Sequence, residues 1–346
     1  MNGSMLASSM AWQVVVMLLA VGVLVKATDA VVRGLDELIR VTKWGRFGVA
    51  VGLMAVTTSL PELFVGISSA LEGASSLSLG NVIGSNIANL SLVIGGAVLV
   101  GGSVAVVGNY AREDLVYTFL VGSLPLLLLM DKSLGRVEGL LLLVVYGVYL
   151  WLVSKGKPRK VLEWDVREMT RSALRRIGSR ETTRPLAWVL VGMVVVVAAS
   201  EVVVDMGLVL AQGFGIPILL VGIFGLAVGS SLPELVLWLK AAMKGDAVLI
   251  FGSLLGSVVT NSTLVIGVTA LVSPIKVQAI DSYLVATLAY IIVFWLFWLL
   301  TKTKRRLDRW EGMVLILVYL MLLVVELTKS GYGIEVWRGL MSWIIG

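Results

Sequence analysis

The chain has 346 residues, of which 58% are hydrophobic and only 14% charged, and its mean hydropathy is +0.97; a soluble domain carries roughly 25% charged residues, so this is the composition of an integral membrane protein. Cysteine and histidine are both absent, which removes disulfides, thiolate and imidazole metal sites, a cysteine nucleophile and histidine proton relays. The net charge of +6 does not describe a nucleic-acid surface, because the cations are placed as membrane topology places them.

Apolar runs of the ~20 residues that cross a hydrocarbon core predict helices at 11–27, 47–71, 77–102, 115–130 and 137–154, and again at 186–211, 217–241, 246–272, 282–301 and 310–328. No Lys or Arg lies in the first ten residues, so the opening run reads as a retained span and not as a signal peptide. Segment 155–184 holds ten Lys and Arg and divides the chain into 1–154 and 185–346. Within it Val166, Met169, Ala173 and Ile177 recur at roughly helical spacing among Arg167, Arg171, Arg175 and Arg176. This linker is either a basic helix lying on anionic lipid or a solvated tether, and it is too short for a folded domain. The remaining cations fall in alternate loops. With the N-terminus outside, 22 Lys and Arg lie inside and five outside, the five being Lys132, Arg136, Lys276, Lys329 and Arg338. The positive-inside rule then predicts a cell-membrane protein with a cytoplasmic linker and both termini outside. Five spans per half force the second half to enter the membrane from the opposite side. The expected fold is all-α, ten transmembrane helices in two inverted-topology repeats with broken helices at the midplane.

Two stretches of the halves match without a gap, 172 positions apart. Ala55-Val-Thr-Thr-Ser-Leu-Pro-Glu62 matches Ala227-Val-Gly-Ser-Ser-Leu-Pro-Glu234, and Gly80-Asn-Val-Ile-Gly-Ser-Asn-Ile-Ala-Asn89 matches Gly252-Ser-Leu-Leu-Gly-Ser-Val-Val-Thr-Asn261. A weaker likeness joins Ala27-Thr-Asp29 to Ala199-Ser-Glu201. Pro61 and Pro233 each remove a helical hydrogen bond and free carbonyls of the preceding turn, predicting a break whose carbonyl end favours cations. Thr58, Ser59 and Glu62 then share one helix face, as do Ser230, Ser231 and Glu234. Ser85 and Asn89, and Ser257 and Asn261, are each four apart and point the same way from the next helix, which Gly80, Gly84, Gly252 and Gly256 allow to approach closely. One such motif in a membrane span is more often packing than function. Two copies are different, because each glutamate costs about 2.5 kcal/mol to place near the midplane if acids resemble aspartate. Carboxylates, carbonyls and hydroxyls suit Ca²⁺ and Na⁺ over softer metals.

These paired motifs resemble the alpha-repeats of the sodium/calcium exchanger family within the calcium/cation antiporter superfamily, most like its short prokaryotic members, over 47–95 and 219–267. The resemblance implies that Glu62 and Glu234 ligate Ca²⁺ with the carbonyls of Thr58 and Ser230. It implies sodium sites at Ser59, Ser85 and the Ala55 carbonyl, and at Ser231, Ser257 and the Ala227 carbonyl, with Asn89 and Asn261 lining the middle. Thr57 stands where the family usually has Gly, and Ser230 where Thr is usual. Asn261 stands where several members, including potassium-dependent ones, carry Asp, which implies a site of two carboxylates and K⁺-independent exchange.

The expected function is therefore a secondary antiporter, not an enzyme, that exchanges Na⁺ for Ca²⁺ by alternating access. A Ca²⁺/H⁺ exchanger on the same fold stays open as the alternative, with protons taking the place of Na⁺ on the glutamates. A cation channel would also want an acidic ring but needs no counter-ion. No nucleotide-binding motif is present, so an ion gradient supplies the energy; no cofactor beyond the transported ions, no nucleic acid and no obligatory protein partner is implied. Among other polar residues in spans, Lys26 and Asp29 can neutralise each other, and Glu201 and Asp205 have no cation of their own in their span; Asp29 and Glu201 either touch an ion path or cap and anchor helices near an interface. Most of the eleven Trp read as interfacial anchors. Asn89-Leu-Ser and Asn261-Ser-Thr match glycosylation sequons but lie inside apolar spans, where they cannot act as such.

Overall fold

The computed structural model describes residues 3–42, 59–106, 114–155, 180–214, 220–277 and 280–329. The chain folds almost entirely into helices: α1 (Gly3–Thr42), α2 (Leu60–Leu71), α3 (Ser75–Ala88), α4 (Ile94–Gly101), α5 (Leu115–Leu128), α6 (Arg136–Lys155), α7 (Arg180–Phe214), α8 (Ala227–Ser230), α9 (Leu232–Met243), α10 (Ala247–Thr260), α11 (Ile266–Val272), α12 (Ile280–Lys304) and α13 (Arg309–Lys329). Every expected span is met by a helix, the second from Leu60 onward. Among the described residues, four helices are long and apolar enough to cross a membrane alone, and a fifth span results if the bent pair Val221–Ser230 and Glu234–Met243 is one. The linker from 156 to 179, with its candidate basic helix, and the part of the first motif at 47–58 lie outside the described residues.

The element order of the first half recurs in the second. Two two-stranded antiparallel pairs show how the halves are joined. β1 (Val104–Ala105), after α4, pairs with β4 (Arg306–Leu307), between α12 and α13; β2 (Ser133–Leu134), between α5 and α6, pairs with β3 (Ile275–Lys276), after α11. In repeat terms, the loop after the third span of each half meets the loop after the fourth span of the other. Paired loops lie at the same end of the bundle, so equivalent loops lie at opposite ends, which is what an inverted repeat requires. A shared turn chemistry sets this up. Lys132 and Arg305 both take the left-handed conformation, with φ of 71° and 50°. Glu138 and Glu311 then reach back to accept from the N–H of Gly135 (3.0 Å) and Asp308 (2.8 Å), starting α6 and α13.

The same exchange holds inside the bundle. α13 packs on α4 and α6 on α11, at backbone distance. A Cβ on Gly95 would lie 2.6 Å from the Gly312 carbonyl oxygen, and one on Gly139 would lie 2.9 Å from that of Gly267. Side-chain-free crossings of this kind let membrane helices gain dispersion contact where no hydrophobic force draws them together. α1 and α7 pack chiefly along one another, beside a core centred on α3, α4, α10 and α11 that includes Trp238, Phe251, Tyr290 and Phe297.

Candidate cation site

The predicted break is present. In the second half the helix from Val221 to Ser230 bends by 47° into α9, with Pro233 in the first turn of the new helix. Ser231 is the hinge residue, at φ −87° and ψ 1°, and Ser59 before α2 has nearly the same angles, −86° and 2°. Glu62 and Glu234 therefore occupy the first turns of α2 and α9. Free N–H groups at a helix start favour a carboxylate, and the carbonyl end of the preceding half-helix favours a cation. In the second half the proline thus places one helix end of each polarity beside Glu234.

Both glutamates are fully buried, at 0% exposure. Ser85 of α3 joins the two halves: its Oγ donates to Glu62 Oε1 at 3.4 Å and lies 3.2 Å from Ser230 Oγ. The Ser230 hydroxyl is also 3.3 Å from both Asn81 Oδ1 and the Ala227 carbonyl oxygen. Ser59, Ser231, Ser257, Asn89 and Asn261 are buried as well. Ser59 Oγ, Ser231 Oγ, Glu62 Oε2, both Glu234 oxygens, both polar atoms of Asn89 and Asn261 Oδ1 have no protein hydrogen-bond partner. Each buried polar atom left so costs about 1–3 kcal/mol. A fold keeps a group of them together only if something else satisfies them. Most of these atoms are oxygens, the donors that a hard cation takes. Among the described residues no group of three or more acidic, His or Cys side chains could hold a metal.

Of the residues singled out in sequence, the structure gathers Glu62, Ser85 and Ser230 directly and buries Ser59, Ser231, Ser257, Glu234, Asn89 and Asn261 in the same bundle core. Thr58 and Ala55 lie outside the described residues. The Ala227 carbonyl also accepts from the Ser231 N–H at 3.1 Å. Glu201 and Asp205 are exposed on α7, and Lys26 is exposed on α1, whereas the side chain of Asp29 falls outside the described set. The close approach expected of the small residues is seen at Gly84, where a Cβ would lie 2.2 Å from the Ile223 carbonyl oxygen.

Three features escaped the sequence reading. The third span of each half widens into a π turn that begins at the motif asparagine, Asn89–Val93 and Asn261–Val265, and a further π segment, Val221–Leu226, leads into α8. Such turns loosen the helical hydrogen-bond ladder and are frequent at functional sites; here Ser91 Oγ donates to the Ile87 carbonyl at 2.5 Å and Thr263 Oγ1 to that of Val259 at 2.6 Å. Asn81 was missed although it lies one turn before Ser85 on the same face. Asn86 and Ser262 were missed because neither is matched in the other repeat, where Val258 and Leu90 stand.

The architecture is that of a membrane ion transporter built around a buried polar centre. A profile of the sodium/calcium exchanger protein family matches residues 12–155 and 184–328, and the chain belongs to that family. It is 30% identical to CaxA of Alkalimonas amylolytica, over 86% of this chain and 93% of that protein, and 30% identical to the inner membrane protein YrbG of Escherichia coli, over 82% and 90%. It is 25% identical to the sodium/calcium exchanger MaX1 of Methanosarcina acetivorans, over 90% and 97%. Among solved structures it is similar in fold to the sodium-calcium exchanger NCX_Mj soaked with 2.5 mM Na⁺ and 10 mM Sr²⁺, with a TM-score of 0.64 and 24% identity over 90% of this chain and 98% of that one.

Proposed function

We propose that this protein exchanges Na⁺ for Ca²⁺ across the cell membrane by alternating access and does so without K⁺. One observation carries the reading: two fully buried glutamates, one from each half, among buried oxygens with no protein partner. Glu62 and Glu234 neutralise one Ca²⁺, aided by the carbonyls of Thr58 and Ser230. Sodium ions take the flanking hydroxyls, Ser59 and Ser85 with the Ala55 carbonyl, and Ser231 and Ser257 with the Ala227 carbonyl, while Asn89 and Asn261 line the centre. A carboxylate assisted by a neutral oxygen, as Glu62 is by Ser85, suits a hard monovalent ion better than a proton, which needs the carboxylate alone. The naming of MaX1 and NCX_Mj as sodium/calcium exchangers supports the same choice.

Coupling follows from charge balance. The two carboxylates cross the membrane neutralised by Ca²⁺ or by Na⁺, whereas crossing empty would bury unpaired charges at a cost of several kcal/mol. α1 and α7, packed mainly on each other, move as a unit against the remaining bundle and open the site to either side. Asn261 holds the site at two negative charges, which removes the need for K⁺. The basic linker is cytoplasmic and both termini are outside.

Equilibrium Ca²⁺ binding to the purified protein in detergent tests the assignment. Binding should be displaced steeply by Na⁺ and be indifferent to K⁺ at equal ionic strength. Binding that ignores Na⁺ and weakens only on acidification would replace Na⁺ with H⁺ as the counter-ion.

A further inference from the structure

Asn86 is buried in α3 and makes two side-chain bonds to the opposite half: its Nδ2 donates to Ser262 Oγ at 2.8 Å, and its Oδ1 accepts from Asn261 Nδ2 at 3.3 Å. An amide has a donor end and an acceptor end, and only the acceptor end attracts a cation. The bonds run in one direction, from Asn261 to Asn86 to Ser262. They commit the donor end of Asn261 to Asn86 and leave its Oδ1 without a protein partner. The other half has no such clamp. Val258 stands at the position equivalent to Asn86, Leu90 at that equivalent to Ser262, and both polar atoms of Asn89 lack a protein partner.

We propose that Asn86 is a positioning residue that locks the Asn261 amide with its oxygen presented to the transported cation, using Ser262 as its anchor. The inference rests on the proposed Ca²⁺ site. It makes the two central amides inequivalent, Asn261 preset as an oxygen donor and Asn89 free to turn. Without the clamp the Asn261 NH₂ can turn toward the carboxylates, where it satisfies them in place of the cation and weakens binding.

Asn86→Val copies the residue that the other half already carries at this position. Loss of an outer partner of a metal ligand typically costs 10- to 100-fold in affinity. Asn86→Val should raise the Ca²⁺ concentration for half-maximal binding and uptake about tenfold, with a maximal rate close to the parent's. Ser262→Ala, which removes only the anchor, should shift it in the same direction by less. A merely structural role would lower Tm and maximal rate and leave half-saturation where it was, and that result overturns the proposal. If Asn86→Val does not fold, unchanged half-saturation in Ser262→Ala does the same. A parent protein that binds no Ca²⁺ contradicts the proposed function itself; a parent that binds Ca²⁺ beside variants of unaltered affinity contradicts only the role of Asn86.

Discussion

Glu62→Gln and Glu234→Gln should each abolish Na⁺-driven Ca²⁺ uptake while the protein remains folded. Glutamine keeps the shape and one carbonyl oxygen of the side chain, so the change isolates charge. With one carboxylate left, Ca²⁺ enters the buried site with a net positive charge instead of a balanced one. Removing one partner of a buried ion pair costs about 3–5 kcal/mol, which is about two to four orders of magnitude in affinity. The loss should be alike for the two residues, because both are at 0% exposure and both open a helix after a hinge serine. Glu72, exposed at the end of α2, provides the control, and Glu72→Gln should transport normally. Size-exclusion profiles and Tm of the variants check that the fold survives. Near-normal uptake by either site variant would remove the glutamates from the ion path.

Gly312→Leu and Gly139→Leu should prevent assembly of the bundle. At both crossings the nearest atom to an added Cβ is a backbone oxygen, 2.8 Å away for Gly312 and 2.9 Å for Gly139, and backbone cannot yield by changing rotamer. The helices would have to separate, losing contact along α4–α13 or α6–α11. Overpacking typically costs about 1–3 kcal/mol and occasionally more, and a leucine set against rigid backbone falls at the upper end. Gly147, on the same helix as Gly139, has nothing within 4 Å of an added Cβ, so Gly147→Leu should leave the yield of monodisperse protein unchanged. Equal yields from Gly147→Leu and Gly139→Leu in detergent would contradict the backbone-distance packing.

What the sequence revealed and what it hid divide along physical lines. Hydropathy located the spans because lipid demands ~20 apolar residues in a row, and the proline-glutamate pairs located the break because proline cannot donate within a helix. The motif serines and asparagines were legible from their four-residue spacing. The π turns were not, because widening a turn by one residue leaves no mark on hydropathy and begins at residues that look equally at home in an α-helix. The strand pairs are two residues each, below any periodicity. Their surroundings did carry a signal: Leu134, Arg136, Glu138 and Gly139 recur as Leu307, Arg309, Glu311 and Gly312, 173 positions on. The one-residue difference from 172 hides it from a comparison at a single offset. The Asn86–Ser262 bond joins residues 176 apart, related by neither the repeat nor the helix period, and only the packing of one half on the other reveals it.

The central claim, Na⁺-coupled Ca²⁺ exchange through one site shared by the halves, is tested most directly by ⁴⁵Ca²⁺ uptake into proteoliposomes loaded in turn with Na⁺, K⁺ or acid against a matched exterior. Outward Na⁺ gradients should drive Ca²⁺ accumulation, K⁺ gradients and added K⁺ should have no effect, and proton gradients alone should drive none. Accumulation driven by protons and not by Na⁺, or Ca²⁺ entry that needs no counter-ion, would contradict it.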